Sequence, residues 1–282
     1  MSVLSDFASR AAYRALCFEA NVTPKPGLVD RNNTGAHSDM TLSMLLESAR
    51  AIAPYIGRCA QSGYDTKDAP FESAFTALRE IGLQAENAMI ETTGGINTHK
   101  GAVFCFCLLA GAYGRCLKTA TAETICKTAS LLYQEASKSS LLAASRSPVT
   151  HGDIAYQKAS LPGARGEALS GFQSVLKIAY PALEYALKKG CSENDAGVYA
   201  LLHLISKVDD TCIYFRGGTE GLALSKSLAF KALQGDFMKE AENIDSLFIK
   251  KRLSPGGCAD LLAAAMFIKI LIQSKWEEYT CE

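Results

Sequence analysis

The run Leu-Leu-Ala-Ala-Ala-Met-Phe-Ile-Lys-Ile-Leu-Ile, residues 261–272, decides the fold class. Its apolar side chains recur at intervals of three and four residues, the spacing of one helix face, at Leu261, Ala264, Ala265, Ile268, Leu271 and Ile272. Lys269 interrupts the run, which is also too short to span a bilayer. The pattern therefore predicts a core helix of a helical protein rather than a membrane segment.

The same helical period recurs along the rest of the chain. Further apolar stripes begin at Leu4, Leu42, Phe71, Val103, Ile125, Ala168 and Val198. The stripe from Ala168 is expected to stop at Pro181, and no run of alternating strand-type residues separates the stripes. Because no linker or internal repeat divides the chain, we expect an all-α fold. The expected architecture is a compact multi-helix bundle in which residues 1–282 form a single domain.

The charge balance excludes one large class of function. Lysine and arginine together number 29, as do aspartate and glutamate, whereas a nucleic-acid-binding protein needs a basic excess. The ten cysteines include no Cys-x-x-Cys pair, and the N-terminus carries Asp6 and Arg10 without a long apolar run. We expect a cytoplasmic protein with reduced cysteines and no nucleic-acid or membrane partner.

Five polar segments, rich in glycine and proline, break the helical pattern, and loops on a rigid scaffold commonly carry function. The first, Thr23-Pro-Lys-Pro-Gly-Leu-Val-Asp-Arg31, continues through residue 39. Its charged and titratable side chains follow no helical period and stand at Lys25, Asp30, Arg31, His37 and Asp39. A solvated connection, in which Asp39 caps the next helix, is the alternative interpretation.

The second segment, Thr93-Gly-Gly-Ile-Asn-Thr-His-Lys-Gly101, leads straight into a predicted helix. Glycine lets the backbone approach a ligand closely, and the free N–H groups of a helix N-terminus attract anions. Lys100 adds a positive charge, so the segment is typical of a phosphate cradle. The alternative is an ordinary helix start that Thr98 caps.

The other three segments hold further candidate groups. One contains His151-Gly-Asp153 and Gly163-Ala-Arg-Gly-Glu167, which alone are typical of a polar surface loop. Another contains Asp209-Asp-Thr211 and Arg216-Gly-Gly218. Adjacent carboxylates are costly to bury without a cation, which indicates Mg²⁺, with an exposed helix end as the alternative. The last, Ser254-Pro-Gly-Gly-Cys-Ala-Asp260, enters the final helix and permits simple capping by Ser254.

Together these segments resemble the triphosphoribosyl-dephospho-CoA synthase family, and the resemblance spans nearly the whole chain. Any one motif is weak, but six in the expected order are specific. They are TPKPGLVDR at 23–31, GAHSDM at 35–40, GGINTHKG at 94–101, GARGE at 163–167, DDT at 209–211 with RGG at 216–218, and SPGGCADLL at 254–262. One departure is that Cys212 and Phe215 stand where the family pattern often has asparagine and histidine.

The resemblance implies an enzyme that joins the triphosphoribosyl group of ATP to the 2′-hydroxyl of 3′-dephospho-CoA and releases adenine. The product, 2′-(5″-triphosphoribosyl)-3′-dephospho-CoA, would pass to a separate holo-acyl-carrier-protein transferase that serves citrate lyase or malonate decarboxylase. ATP is then a substrate, and Mg²⁺ is the expected cofactor. The sequence leaves open which pathway is served and whether the chain forms a homo-oligomer.

The implied reaction breaks an N-glycosidic bond through a transition state that resembles an oxocarbenium ion. Carboxylates must stabilise positive charge, a donor must neutralise adenine, and cations must hold the triphosphate. On residue type, the catalytic candidates are Asp30, His37, Asp39 and His99. The candidates for binding ATP or its co-substrate are Lys25, Arg31, Gly94, Gly95, Asn97, Lys100, Arg165, Arg216 and Ser254. The candidate metal ligands are Asp209 and Asp210.

Two other functions are compatible with the same residues. A helical magnesium-dependent hydrolase would cleave the N-glycosidic bond of ATP or ADP-ribose with water instead of dephospho-CoA. A non-catalytic protein would bind CoA or a nucleotide in the same pocket. Formation of a dephospho-CoA adduct separates the transferase from the hydrolase, and release of adenine separates either enzyme from the binding protein.

Overall fold

The computed structural model describes residues 2–138, 161 and 163–273. These residues form eleven α-helices and no β-strand, so the all-α prediction is confirmed. The motif His151-Gly-Asp153 lies outside the described residues.

The helices follow one another along the chain with short connections. They are α1 (Val3–Asn21), α2 (Leu42–Asp65), α3 (Phe71–Thr92), α4 (Lys100–Arg115), α5 (Ala122–Lys138), α6 (Gly163–Ser170), α7 (Tyr180–Lys188), α8 (Glu193–Lys207), α9 (Thr211–Ala232), α10 (Phe237–Lys251) and α11 (Gly256–Gln273). A 3₁₀ turn, Leu117–Thr119, joins α4 to α5, and a π-helical turn, Val175–Ala179, runs directly into α7.

The centre of the bundle is formed by α4 and α11, whose aromatic rings stack. The ring centroids of Phe106 and Phe267 are 4.6 Å apart and nearly parallel. Around them, α2 contacts α1, α3 and α4, while α11 contacts α1, α4 and α8. Glycines let α2 and α4 approach backbone to backbone, because a Cβ on Gly63 would lie 2.0 Å from the carbonyl oxygen of Gly111.

Helix α11 is long and apolar enough to cross a membrane by length and composition alone. Two thirds of it is buried inside the bundle, as in the core helix that the sequence predicts. The helix begins at Gly256, five residues before the first residue of the predicted run, Leu261. Core packing accounts for its apolar character.

Two helix boundaries differ from the sequence prediction. Pro181 does not end a helix; it stands in the first turn of α7, where its missing N–H group has no intrahelical acceptor to lose. The segment from Asp209 to Gly218 is helical from Thr211 onward rather than an open loop. Gly218 lies inside α9 at φ 63°, a kink that a glycine tolerates without a Cβ clash.

Two helix caps, those of α2 and α4, differ from the sequence prediction. Thr121 accepts a hydrogen bond from the N–H of Thr124, as expected for the start of α5. At α4, however, the Asn97 side chain accepts from the N–H of Lys100, and Thr98 instead donates to the Ser48 hydroxyl. At α2 the capping side chain is Thr41 rather than Asp39.

Asp210 caps two helices at once. Its Oδ1 accepts from the N–H groups of Cys212 and Ile213 in α9, at 2.7 and 3.1 Å. Its Oδ2 accepts from the N–H of Cys258 in α11 at 2.8 Å, so this carboxylate, rather than Ser254, serves the start of α11. The buried Asp210 therefore joins the N-termini of α9 and α11.

Asp210→Ala should lower the free energy of unfolding by about 2–4 kcal/mol, because three N–H groups at two helix ends lose their acceptor together. Asp209→Ala is the matched control, since Asp209 is exposed and pairs with Lys226; its loss should cost at most about 0.5 kcal/mol. Urea unfolding followed by circular dichroism measures both. Equal transition midpoints for the two variants would contradict the double-cap role.

Candidate functional site

The connection between α1 and α2 is a folded loop, and Asp30 organises its turn. The Asp30 carboxylate accepts from the N–H of Lys25 at 2.9 Å and from those of Asn32 and Asn33 at 2.7 and 3.1 Å. The side chain is buried. Asp30 was a candidate acid or base, and the structure gives its carboxylate three backbone donors.

Asp245 of α10 fixes the same loop from the other side. Its carboxylate accepts from the N–H of Gly27 at 2.8 Å and from the Asn33 side chain at 2.9 Å. Gly35 lies against Gly27 so closely that a Cβ would meet the Gly27 backbone at 2.5 Å. The loop is thus held in one conformation by two carboxylates and a close backbone contact.

Lys25 is the most deeply buried charge of the loop. Its Nζ lies 2.5 Å from Oε1 of Glu19 and donates to the Glu19 carbonyl oxygen at 2.7 Å. Lys25 is 1 % exposed and Glu19 6 %. The sequence analysis expected this lysine to pair with phosphate; the structure gives it a carboxylate at the C-terminal end of α1 instead.

His99 stands at the entrance of α4 with one ring nitrogen unpartnered. Its Nδ1 lies 2.8 Å from the Ser48 hydroxyl, which itself accepts from Thr98. The Ser48 hydroxyl thus engages Nδ1, which leaves Nε2 as the second ring nitrogen. Nε2 is buried and has no hydrogen-bond partner within the described residues.

The ring of His99 is neutral at physiological pH. Its pKa is lowered to about 4: burial is the largest cause, the Glu19 carboxylate opposes it, and the positive charge of Lys25 acts in the same direction as burial. The site therefore contains a neutral imidazole whose Nε2 has no partner among the described residues. Such a group is expected to meet a ligand oxygen or nitrogen.

His37 links the loop to α9 and α11. Its Nε2 lies 2.8 Å from the Ser254 hydroxyl, and Nη2 of Arg216 lies 3.4 Å from its Nδ1. Arg216 also donates to the carbonyl oxygen of Ala36 at 3.1 Å. Burial lowers the pKa of His37, and the Arg216 charge acts in the same direction, whereas Asp39, 3.8 Å from Nδ1, raises it.

Asp260, in the first turns of α11, lies directly on the first turn of α4. A Cβ built on Gly101 would be 2.0 Å from Oδ2 of Asp260, so only glycine leaves room for the carboxyl group. Burial raises the pKa of Asp260 well above its ordinary value, and the negative charges of Glu19 and Asp210 raise it further. The N–H of Ala102 opposes this shift by hydrogen bonding.

These groups form one polar cluster, which we call the helix-end cluster: Glu19, Lys25, His37, Ser48, His99, Asp210, Arg216, Ser254 and Asp260. Its members act on one another, because the charge of Lys25 lowers the pKa of both His37 and His99, and Glu19 acts on both His99 and Asp260. Contacts bring these segments together: His37 of the loop meets Ser254 and Arg216, Asp210 bonds to the start of α11, and Asp260 lies against Gly101 of α4.

The structure places the glycine-rich segment differently. Gly94 and Gly95 are exposed at positive φ, and a Cβ on either would meet no atom within 4 Å. The N–H of Gly95 bonds to the carbonyl oxygen of Ile90, which ends α3. Asn97 is exposed, and Lys100 pairs with Glu86 at 3.1 Å. These residues form the end of α3 and the start of α4, beside His99.

Other candidates also lie away from the cluster centre. Arg31 donates to the side chain of Asn194 at 2.9 Å, Arg165 is exposed on α6, and Asp39 is exposed beside His37. Near Arg31 lies a groove of about 420 Å³. Its lining, which includes Tyr13, Arg14, Phe18, Asn21, Arg31, Glu193 and Asn194, we call the Arg31 groove.

The predicted metal pair does not fit a magnesium ion in this structure. Asp210 directs both oxygens to backbone N–H groups, whereas Asp209 is exposed and forms an ion pair with Lys226. Among residues 2–138, 161 and 163–273, no three His, Cys, Asp or Glu side chains are grouped so as to hold a metal ion. Asp209 and Asp210 are therefore not assigned as ligands of a metal ion.

The sequence analysis did not single out three members of the cluster. Glu19 follows the buried face of α1 by four residues after Ala15, and Ser48 lies three residues after Leu45 on the apolar face of α2. A polar residue on an apolar helix stripe is a signal that could have identified both. Asp260 lies within a quoted motif, but its contact with Gly101 requires the tertiary structure.

Comparisons with known proteins agree with the sequence motifs. The family model for ATP:dephospho-CoA triphosphoribosyl transferase matches residues 5–279. A protein of Pectobacterium carotovorum, named a probable 2-(5″-triphosphoribosyl)-3′-dephosphocoenzyme-A synthase, is 39% identical over 264 residues, covering 92% of this chain and 87% of its own. A Vibrio cholerae protein of the same name is 40% identical over 275 residues, covering 93% and 87%.

A solved structure shows the same fold. It is the crystal structure of an Archaeoglobus fulgidus protein assigned as a triphosphoribosyl-dephospho-CoA synthase, with a TM-score of 0.54 and 19% sequence identity. The match covers 79% of this chain and 96% of the other. At this level of identity the likeness concerns the helical architecture alone.

The lowered pKa of His99 should make stability depend on pH. The folded protein binds a proton there near pH 4, whereas the histidine of the unfolded chain titrates near 6.5. The stability tied to the neutral ring is therefore complete above about pH 6.5 and falls as the pH drops toward 4, by roughly 3 kcal/mol. His99→Gln should remove this part of the pH dependence.

Urea unfolding of the wild type and of His99→Gln at about pH 7 and about pH 4.5 measures the difference. All other titrating groups are shared by the two proteins, so they cancel in the comparison. An identical loss of stability in both proteins would show that His99 titrates normally.

Proposed function

The chain belongs to the ATP:dephospho-CoA triphosphoribosyl transferase family, and we propose that it transfers the triphosphoribosyl group of ATP to the 2′-hydroxyl of 3′-dephospho-CoA, releasing adenine. The observation that carries this proposal is the helix-end cluster. It combines the unpartnered Nε2 of His99 with the buried carboxyl groups of Glu19 and Asp210 and the partly exposed carboxyl group of Asp260. Donors and carboxyl groups at one place are what cleavage of a glycosidic bond requires.

The sign of the charge in the cluster suits the transition state. Bond cleavage at C1″ of the ribose develops positive charge on the ring, as in glycoside transfer. Glu19 and Asp210 supply negative charge in surroundings largely shielded from water, where electrostatic stabilisation is strong. Asp30 supports them from within the loop. Lys25 orients the Glu19 carboxylate through their ion pair, so in this proposal Lys25 does not bind phosphate.

His99 is proposed to hold the nucleotide. Its neutral ring donates from Nε2 to an acceptor of the bound ATP, and its orientation is fixed by Ser48 and Thr98. His37 donates to Ser254 and accepts from Arg216, so it positions the start of α11. In this proposal Asp39 tunes His37 rather than meeting substrate.

The triphosphate is proposed to lie toward exposed cations around the cluster. Arg216 borders it directly, and the other candidates are Arg31, Lys100 and Arg165. Gly94, Gly95 and Asn97 would frame the phosphate side through the backbone at the start of α4. The Asp209–Asp210 pair is not proposed as the magnesium site.

The product is a prosthetic-group precursor, and a separate holo-acyl-carrier-protein transferase is proposed to consume it, for citrate lyase or malonate decarboxylase. ATP and dephospho-CoA are metabolites of the cytoplasm, which is the proposed location. The magnesium-dependent hydrolase and the non-catalytic binder stay as alternatives that the first experiment separates.

Purified protein with ATP, Mg²⁺ and dephospho-CoA should release adenine and form the adduct in equal amounts, because one bond replaces the other. Liquid chromatography with mass spectrometry measures both products. Free ribose triphosphate without an adduct would favour the hydrolase, and no release of adenine would favour the binder.

His99→Gln should lower kcat/KM by about a hundred- to a thousand-fold, because a preorganised donor is lost from the site. His203→Gln is the matched control: His203 is a half-buried histidine of α8 that packs against the ring of Tyr199, with centroids 4.5 Å apart. Its activity should stay within a few-fold of wild type. Equal effects of the two substitutions would exclude His99 from the site.

A further inference from the structure

Departure of adenine requires a proton that the two histidines of the cluster do not supply. Adenine is a poor leaving group as an anion and departs readily once a ring nitrogen is protonated. The pKa values of His37 and His99 are both lowered, so each ring is neutral and holds a hydrogen that it can share but not readily release. The proton therefore comes from another group.

We propose that the carboxyl group of Asp260 is the acid that protonates the departing adenine. This inference rests on the proposed function and assigns a catalytic group within its site. Asp260 is partly exposed, so a ligand can reach it, and its carboxyl group lies against Gly101 in the first turn of α4, the helix whose N-cap residue is His99. A base that accepts a hydrogen bond from His99 Nε2 would meet Asp260 at the same helix end.

The surroundings keep Asp260 protonated. The negative charges of Glu19 and Asp210 disfavour the ionisation of its carboxyl group. Burial acts in the same direction, so its pKa is raised well above the ordinary aspartate value. Lys25 forms its ion pair with Glu19, so its charge is not paired with Asp260.

The step balances without another reactant. The bond between C1″ and the adenine nitrogen breaks, its electron pair goes to adenine, and the Asp260 proton goes to an adenine ring nitrogen. An electron pair of the 2′-hydroxyl oxygen of dephospho-CoA forms the new bond to C1″. The hydroxyl proton restores Asp260, directly or through solvent, so the net proton of the hydroxyl ends on adenine.

The test compares two substrates in Asp260→Asn. With ATP, the variant should lose about a hundred- to ten-thousand-fold in kcat, because asparagine cannot release a proton. With 7-methyl-ATP, whose purine departs as a neutral molecule without protonation, the loss should be no more than a few-fold. Adduct with dephospho-CoA is measured against a control without enzyme. Equal losses on both substrates, or full activity with ATP, would overturn the proposal.

A pH profile gives a second measurement. For the wild type, kcat/KM for ATP should fall as the pH rises through the pKa of the required acid, and the residual activity of Asp260→Asn should lack this fall. A fall that persists unchanged in the variant would overturn the assignment even if 7-methyl-ATP proves to be a poor substrate. If the wild type itself forms no adduct from ATP, the proposed function fails instead.

Gly101→Ala tests the geometry without removing the carboxyl group. Its methyl group would displace Oδ2 of Asp260, so activity with ATP should fall at least ten-fold more than activity with 7-methyl-ATP. Gly82→Ala is the matched control within a helix, since its Cβ would make an ordinary 3.5 Å contact with Cys107. A substrate-independent loss in Gly101→Ala, with the fold intact by circular dichroism, would contradict the placement of Asp260.

Discussion

The buried ion pair between Lys25 and Glu19 is the interaction on which the site depends. A charge removed from water is tolerated only with a partner, and loss of one partner from such a pair typically costs about 3–5 kcal/mol. Because Lys25 is in the loop and Glu19 in α1, the pair fixes the loop against the bundle. Burial is the main cause of the shifted pKa values of His99 and Asp260, and the Glu19 charge raises both of them.

A second constraint is that carboxyl groups accept hydrogen bonds from the N–H groups at the helix N-termini of the cluster. Asp210 accepts N–H groups from α9 and α11, and Asp260 receives one from α4. The positive end of each helix dipole lowers the cost of burying these acids. The carboxyl groups of the motifs therefore form an acidic centre, which suits positive charge at a sugar carbon. Cations such as Arg216 lie at its border. The helix N–H groups there are bonded to carboxyl groups and are not free to bind phosphate.

The helical period of the sequence predicts most of the helices, because most bury an apolar face, whereas α11 is buried on nearly all sides. The order of the motifs predicts the family, but the sequence leaves open whether the loops meet. Contacts between distant segments could not be predicted from local sequence patterns. The hydrogen bond from the N–H of Cys258 to Asp210 is one example, because the two residues are 48 positions apart in the chain. Gly94 and Gly95 have positive φ, and the N–H of Gly95 bonds to Ile90 at the end of α3; their predicted role at the phosphate stays a prediction.

Both substrates are proposed to bind in the helix-end cluster. The most direct measurement is a crystal structure of the protein with adenine and dephospho-CoA bound together. The account predicts the adenine ring within hydrogen-bond distance of both Nε2 of His99 and the carboxyl group of Asp260, with the 2′-hydroxyl of dephospho-CoA facing the same cluster. Adenine bound in the Arg31 groove, with His99 and Asp260 unchanged and free of ligand, would contradict it.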